Sequence, residues 1–224
     1  MKNTATIKNI VFDLGGVIVD LDIKSTLAAF ARLGMMPQGV TPEMLMKGSI
    51  PDNWEINRIM HAMDMGEMDR EKFLAAMRPG CRPGVTDSEL LAAMNSILVF
   101  HRHRLEWLQQ LRRRYRVFLL SNIGDVHWTE TLQRTADMGI PIGECFDEVF
   151  LSYRLHMAKP DPRIFRHLIQ ETGIVPGETL YIDDLPANIE AGNEAGLLGR
   201  KIDSNRLDEV LPELFPELVS YSPE

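Results

Sequence analysis

The chain has 224 residues, 24 Lys+Arg against 32 Asp+Glu, and a formal net charge of −8; 45% of its residues are hydrophobic and 25% charged. These values exclude a disordered or fibrous chain, and the length suits one large domain or a core carrying a smaller insertion. The acidic balance excludes a non-specific nucleic-acid binder, which needs a basic surface.

Cys81 and Cys145 are too few for a disulfide framework and fit a reducing compartment. No apolar run reaches the roughly 18 residues of a membrane span. The run over 10–19 is broken by Asp13, which makes a poor signal peptide and leads us to expect a cytoplasmic protein. Neither nucleic acid nor membrane is an expected partner, and nothing in the sequence decides the oligomeric state.

In chain order, the first short apolar run, 8–12, reads as a buried parallel strand. From 23 to 96 no strand pattern occurs. Apolar residues there fall three and four apart, as in Ile56, Ile59, Met60 and Met63, and Pro37, Pro42, Pro51, Pro79 and Pro83 punctuate them. Ten of the thirteen methionines lie in this stretch. We expect a helical insertion whose methionines serve as adaptable packing.

Leu105, Leu108 and Leu111 then mark a helix, closed by the basic run Arg112, Arg113, Arg114 and Arg116, where cations are favoured at a helix C-terminus. Strands follow at 116–120 and 148–151. A helix behind Pro160 and Pro162 carries Ile164, Phe165, Leu168 and Ile169 and stops at Gly173. A fourth strand, 179–182, precedes a helix over 187–195, and the tail from Asp203 is expected to be peripheral. Strand–helix alternation predicts an α/β fold, with a Rossmann-like, mostly parallel sheet over 1–22 and 97–224 and the helical insertion over 23–96.

The four strand ends carry the chemistry. They lead into Asp13, into Ser121-Asn122, into Lys159-Pro160-Asp161-Pro162, and into Asp183-Asp184. Ligands of open α/β sheets bind outside the carboxyl ends of parallel strands. Adjacent strands would therefore collect carboxylates, a hydroxyl, an amide and a lysine in one crevice. Crowded carboxylates repel one another, and a divalent cation removes the conflict; all-oxygen ligands favour Mg²⁺, which also binds phosphate. Ser121 and Asn122 could donate to phosphate oxygens, Lys159 could neutralise them, and Asp13 would be free to attack phosphorus.

These four strings resemble the motifs of the haloacid dehalogenase (HAD) superfamily. Ile10-Val11-Phe12-Asp13-Leu14-Gly15-Gly16-Val17-Ile18 is similar to its first motif and Leu120-Ser121-Asn122 to its second. Lys159-Pro160-Asp161-Pro162-Arg163-Ile164-Phe165 is similar to its third, and Tyr181-Ile182-Asp183-Asp184 with Asn188 to its fourth. The insertion over 23–96 falls where the superfamily places its helical cap. The Leu-Gly-Gly-Val variant and the Ser121…His127 spacing resemble bacterial sugar-phosphate phosphatases of the kind that hydrolyse α-glucose 1-phosphate.

The resemblance implies a Mg²⁺-dependent hydrolase of small phosphorylated metabolites working through an aspartyl-phosphate. Asp13 would be nucleophile and metal ligand, Asp184 a metal ligand with Asp183 beside it, and Asn188 would stand near the metal where a carboxylate is frequent. Ser121, Asn122 and Lys159 would hold the phosphoryl group. The backbone carbonyl of Gly15 would bind metal, but Gly15 replaces the aspartate that usually serves as general acid and base, an effect worth about 10²–10⁴ in rate. His127 and His156 are the accessory candidates for that proton. His156 stands where the family usually has glycine. A haloacid dehalogenase and a phosphate-ligand binder with little turnover stay open as alternatives.

Overall fold

The computed structural model describes residues 7–35 and 55–218. Met36, Met44, Met46, Pro37, Pro42 and Pro51 lie outside these residues. Five strands form one parallel sheet: β1 (Asn9–Phe12), β4 (Arg116–Ser121), β5 (Glu148–Leu151), β6 (Thr179–Asp183) and β7 (Leu198–Lys201). Their order is β5-β4-β1-β6-β7, with every neighbouring pair parallel. The sequence reading missed β7, because Gly199, Arg200 and Lys201 break the apolar run of an exposed edge strand.

Alternation along the strands divides the core between two faces. Ile10, Phe12, Val117 and Leu119 point to one side, where Leu105, Leu108 and Leu111 of α5 (Arg102–Leu111) pack with Trp128 of α6 (Asp125–Asp137). Val11, Phe118, Leu120 and Tyr181 point to the other, against Ile164, Phe165 and Leu168 of α8 (Pro162–Thr172). Each such fully buried side chain contributes about 1.5–3 kcal/mol by its removal from water. Helix α8 starts as expected. Asp161 caps it by accepting from Arg163 N, Pro162 occupies its first turn, and Gly173 ends it at φ 64°.

Between β2 (Asp20–Leu21) and β3 (Leu98–Val99), which pair antiparallel, lie α1 (Ile23–Leu33), α2 (Glu55–Asp64), α3 (Arg70–Met77) and α4 (Asp87–Asn95). These helices share a hydrophobic cluster of their own, with Phe30, Leu33, Ile56, Ile59, Met63, Phe73, Met77 and Leu90 buried around Val126 of α6. Methionines do serve there as packing.

The expectation of a peripheral tail is corrected. Helix α10 (Leu207–Leu214) and the residues after it place Leu207, Leu211, Phe215 and Leu218 in the main core. Its Leu-x-x-x-Leu spacing is helical, but the prolines mask it. No helix among the described residues is long and apolar enough to cross a membrane.

Candidate active site

Register brings the strand ends together. Phe12 lies opposite both Leu119 and Ile182, so Asp13 and Asp183 emerge one residue later on neighbouring strands, and Ser121 emerges at the end of β4. Asp13 continues the ladder through its amide to Ile182 O at 2.9 Å. Lys159 arrives from the loop ahead of α8. Its ammonium lies 2.8 Å from Asp13 Oδ1 and 2.8 Å from Asp183 Oδ2.

All three groups are buried. Burial and the neighbouring Asp183 charge push the Asp13 carboxyl up to about 6, against the pull of Lys159. Burial alone would lower the Lys159 ammonium, but Asp13 and Asp183 outweigh it and hold it above the ordinary lysine range. Burial also raises Asp184. One oxygen from each of Asp13, Asp183 and Asp184 falls within 4.8 Å of the others. Three carboxylates against one ammonium leave a surplus of negative charge in low dielectric, and an all-oxygen donor set of this kind fits a hard divalent cation such as Mg²⁺.

The carboxylates differ in freedom. Asp183 is saturated: Oδ2 accepts from Lys159, from Tyr181 Oη at 2.5 Å and from Asn188 at 3.1 Å, while Oδ1 accepts from Leu185 N at 2.8 Å and Asn188 at 3.0 Å. Asn188, on the first turns of α9 (Pro186–Glu194), thus holds Asp183 in place. Asp184 instead hydrogen-bonds Ser204 and packs beside Gly16. Gly16 has φ +76°, and a Cβ there would lie 2.4 Å from Asp184 Oδ2 and 2.6 Å from Ser204 Oγ. Glycine is required at this position both by conformation and by space. Gly15 is different: a Cβ would meet only Leu21 at 3.6 Å, an ordinary contact, so a Cβ is accommodated there.

Two expected roles shift. The Asn122 side chain is spent on the Lys159 backbone, donating from Nδ2 to its carbonyl at 2.8 Å and accepting from its amide at 2.8 Å. It fixes the lysine loop. Neither histidine is placed as an acid. His127 Nδ1 donates to Asn95 Oδ1 at 3.0 Å, and burial pushes the imidazole down to about 4, leaving it neutral near pH 7. His156 takes φ 52° and donates from Nδ1 to Met65 O at 2.9 Å; it is the glycine-like conformation that makes this position unusual for histidine.

Asp20 lies far from His101 and His103 in the sequence. The structure gives them one centre, Arg104, which is 1% exposed. Its guanidinium donates to Val17 O and Ile18 O at 3.2 Å, to Asp20 Oδ1 at 2.5 Å, and to Asp208 at 2.8 and 3.0 Å. His101 precedes α5 in an extended conformation, so its ring lies 5.7 Å from that of His103. His101 reaches Asp20 at 2.7 Å and His103 reaches Asp208 at 2.8 Å. This network clamps the loop that follows Asp13. Its only sequence signal was an arginine on the otherwise apolar face of α5.

The chain is 31% identical over 196 residues to D-ribitol-5-phosphate phosphatase of Bacteroides thetaiotaomicron, covering 85% of this chain and 89% of that protein. A crystal structure of a HAD family enzyme from the same organism superposes with a TM-score of 0.81 at 30% identity, covering 94% of this chain and 98% of that one. A wild-type complex of that enzyme with magnesium and inorganic phosphate superposes with a TM-score of 0.77 at 30% identity, covering 93% and 99% of the two chains. The model of the haloacid dehalogenase-like hydrolases matches residues 7–196, and the chain belongs to that family.

Proposed function

We propose that the protein is a Mg²⁺-dependent phosphomonoesterase that hydrolyses a small sugar or alditol phosphate through an aspartyl-phosphate on Asp13. The observation that carries this reading is the Lys159 ammonium set between Asp13 and Asp183, with Asp184 closing a three-carboxylate cluster. A dehalogenase, whose chemistry needs no cation, leaves that surplus charge without a purpose. The relative that hydrolyses D-ribitol 5-phosphate and the magnesium and phosphate complexes of a related enzyme support the same substrate class.

In this reading Asp13, Asp184 and the Gly15 carbonyl hold Mg²⁺, which supplies charge neutralisation on the phosphoryl oxygens. Lys159 neutralises further charge and Ser121 donates to a phosphoryl oxygen, while Asn122 holds the lysine loop. Asp183, braced by Tyr181, Asn188 and Leu185 N, keeps Lys159 protonated and in place. Asp13 carries the nucleophilic oxygen; Leu14 N donates to its Oδ1 at 2.7 Å and orients the carboxylate. The described helices of the insertion, α1 to α4, are the elements that would close over the crevice and exclude water from it.

The test is phosphate release from a panel of small phosphate esters, with Mg²⁺ or with chelator. Release that needs the metal and disappears in Asp13→Asn supports the reading. Release that survives Asp13→Asn overturns the nucleophile, and chloride release from a 2-haloacid in place of phosphate release overturns the reaction class.

A further inference from the structure

We propose that Asp64, at the end of α2, is the general acid and base that the Gly15 position lacks; the assignment rests on the phosphatase reading above. In an in-line displacement the attacking and leaving oxygens stand on opposite sides of phosphorus. Asp13, Ser121 and Lys159 all belong to the strand-end floor of the crevice. The leaving oxygen therefore points away from the sheet, toward the helices of the insertion, and a group that protonates it can be supplied from there.

Asp64 is placed for this by an interlock of two glycines. Gly124, which follows Ser121-Asn122-Ile123 and begins α6, has no side chain. A Cβ there would lie 3.0 Å from Met63 Cβ and 3.3 Å from Asp64 Oδ1. Reciprocally, Gly66 has φ +69°, and a Cβ there would lie 2.1 Å from Tyr153 O on α7 (Ser152–Leu155). Insertion and sheet domain thus approach as backbone to backbone, and the turn after α2 is seated against the loop that carries Ser121.

The seat is hydrogen-bonded on both sides. Ser152 Oγ donates to Asp64 O at 2.6 Å and accepts from Ile123 N at 3.0 Å, and His156 donates to Met65 O. One hydroxyl therefore ties Asp64 to the residue two past Ser121. Among the described residues the Asp64 carboxyl has no basic side chain as a hydrogen-bond partner; it accepts from the Gly124 amide. Burial pushes it up to about 7 despite that bond. A carboxyl in this range is available in both protonation states near neutral pH, which suits an acid that later serves as base. His127 and His156 each spend Nδ1 on a fixed partner, Asn95 and Met65.

The steps balance. An Asp13 oxygen bonds phosphorus as the ester P–O bond breaks; the electron pair stays on the leaving oxygen, which takes the Asp64 proton and departs as the alcohol. Asp64, now a carboxylate, takes a proton from water as the water oxygen bonds phosphorus and the Asp13–phosphorus bond breaks. Asp13 carboxylate and protonated Asp64 are regenerated, and the sum is ester plus water to alcohol plus phosphate.

The experiment compares wild type, Asp64→Asn and Asp64→Ala on ribitol 5-phosphate, glycerol 3-phosphate and p-nitrophenyl phosphate with Mg²⁺, alongside thermal melting. The expected result is a loss in kcat of about 10²–10⁴ on the alkyl phosphates. That loss exceeds the loss on the aryl phosphate, whose leaving group needs no proton, by at least about tenfold. Equal losses on both ester classes, or no loss on either, overturn the assignment. The underlying reading fails separately: wild type then shows no metal-dependent release, or Asp13→Asn retains it.

Discussion

The cluster around Lys159 holds three carboxylates against one ammonium, whereas the cluster around Arg104 holds two carboxylates against a guanidinium and two imidazoles. The two lie on either side of the loop after β1 and share its residues: Asp13 begins the loop and Asp20 ends it. In the second cluster each charge has a partner, and the guanidinium also satisfies two backbone carbonyls. In the first, Asp184 has only Ser204 as a hydrogen-bonding side chain among the described residues, and Asp13 shares its lysine with Asp183. A buried network that closes on itself stabilises or positions. One left with surplus charge of a single sign calls for a partner from solution, here a cation and a phosphoryl group.

The comparison breaks first at Asp13. Asp13→Asn should lower phosphate release by about 10⁴-fold or more while preserving the fold, because the amide keeps the shape and loses the nucleophilic oxygen. Kinetics and melting curves on one preparation check both halves. Arg104→Met should show the reverse emphasis. Leaving Asp20 and the backbone carbonyls without their donor should cost about 3–5 kcal/mol, read by denaturant unfolding. An Arg104→Met protein as stable as wild type would remove the distinction drawn between the two clusters.

Gly16→Ala should act between these. The added methyl displaces Asp184, so half-saturating Mg²⁺ should rise by about tenfold or more, with a stability loss of about 1 kcal/mol from the left-handed backbone. Gly15→Asp in an Asp64→Asn background should recover alkyl-phosphate hydrolysis, since the backbone at Gly15 accommodates a Cβ; kcat on glycerol 3-phosphate reads this.

The smallest effect is expected at Asp208. Burial opposes its charge, but the hydrogen bonds from Arg104 and His103 hold its carboxyl down at about 2. A depressed acid contributes stability above its unfolded value, near pH 4, and loses it as pH falls toward 2. With the side chain 42% exposed, solvent screening limits this to about 1 kcal/mol or less. Asp208→Asn should therefore narrow the gap in melting temperature between pH 6 and pH 3 slightly.

Much of the site was legible because buried parallel strands write themselves as short apolar runs that stop at polar residues. Asp13, Ser121 and Asp183-Asp184 each stand at such a stop, Lys159 follows β5 after one short helix, and parallel strands put all their carboxyl ends on one edge. The ends of α8 were equally plain, since Asp161, Pro162 and Gly173 act within a few residues of where they stand. Local chemistry of this kind is set by neighbours in the chain.

Contacts between distant residues had no such signature. Arg104 meets Asp208 across 104 positions and Asp20 across 84, and Ser152 meets Asp64 across 88. The sequence marked Gly16, Gly66 and Gly124 only as glycines. Packing decided that Asp184, Tyr153 O and Met63 with Asp64 fill the space their side chains would need. The missing aspartate at Gly15 was visible at once, but that Asp64 is seated against the loop after Ser121 depends on how α2 meets the sheet domain. The sequence by itself therefore determined the strand-end inventory of the site. The tertiary structure decided which groups are saturated, which carry unbalanced charge, and which part of the insertion meets the crevice, because those properties belong to distances that the chain closes only on folding.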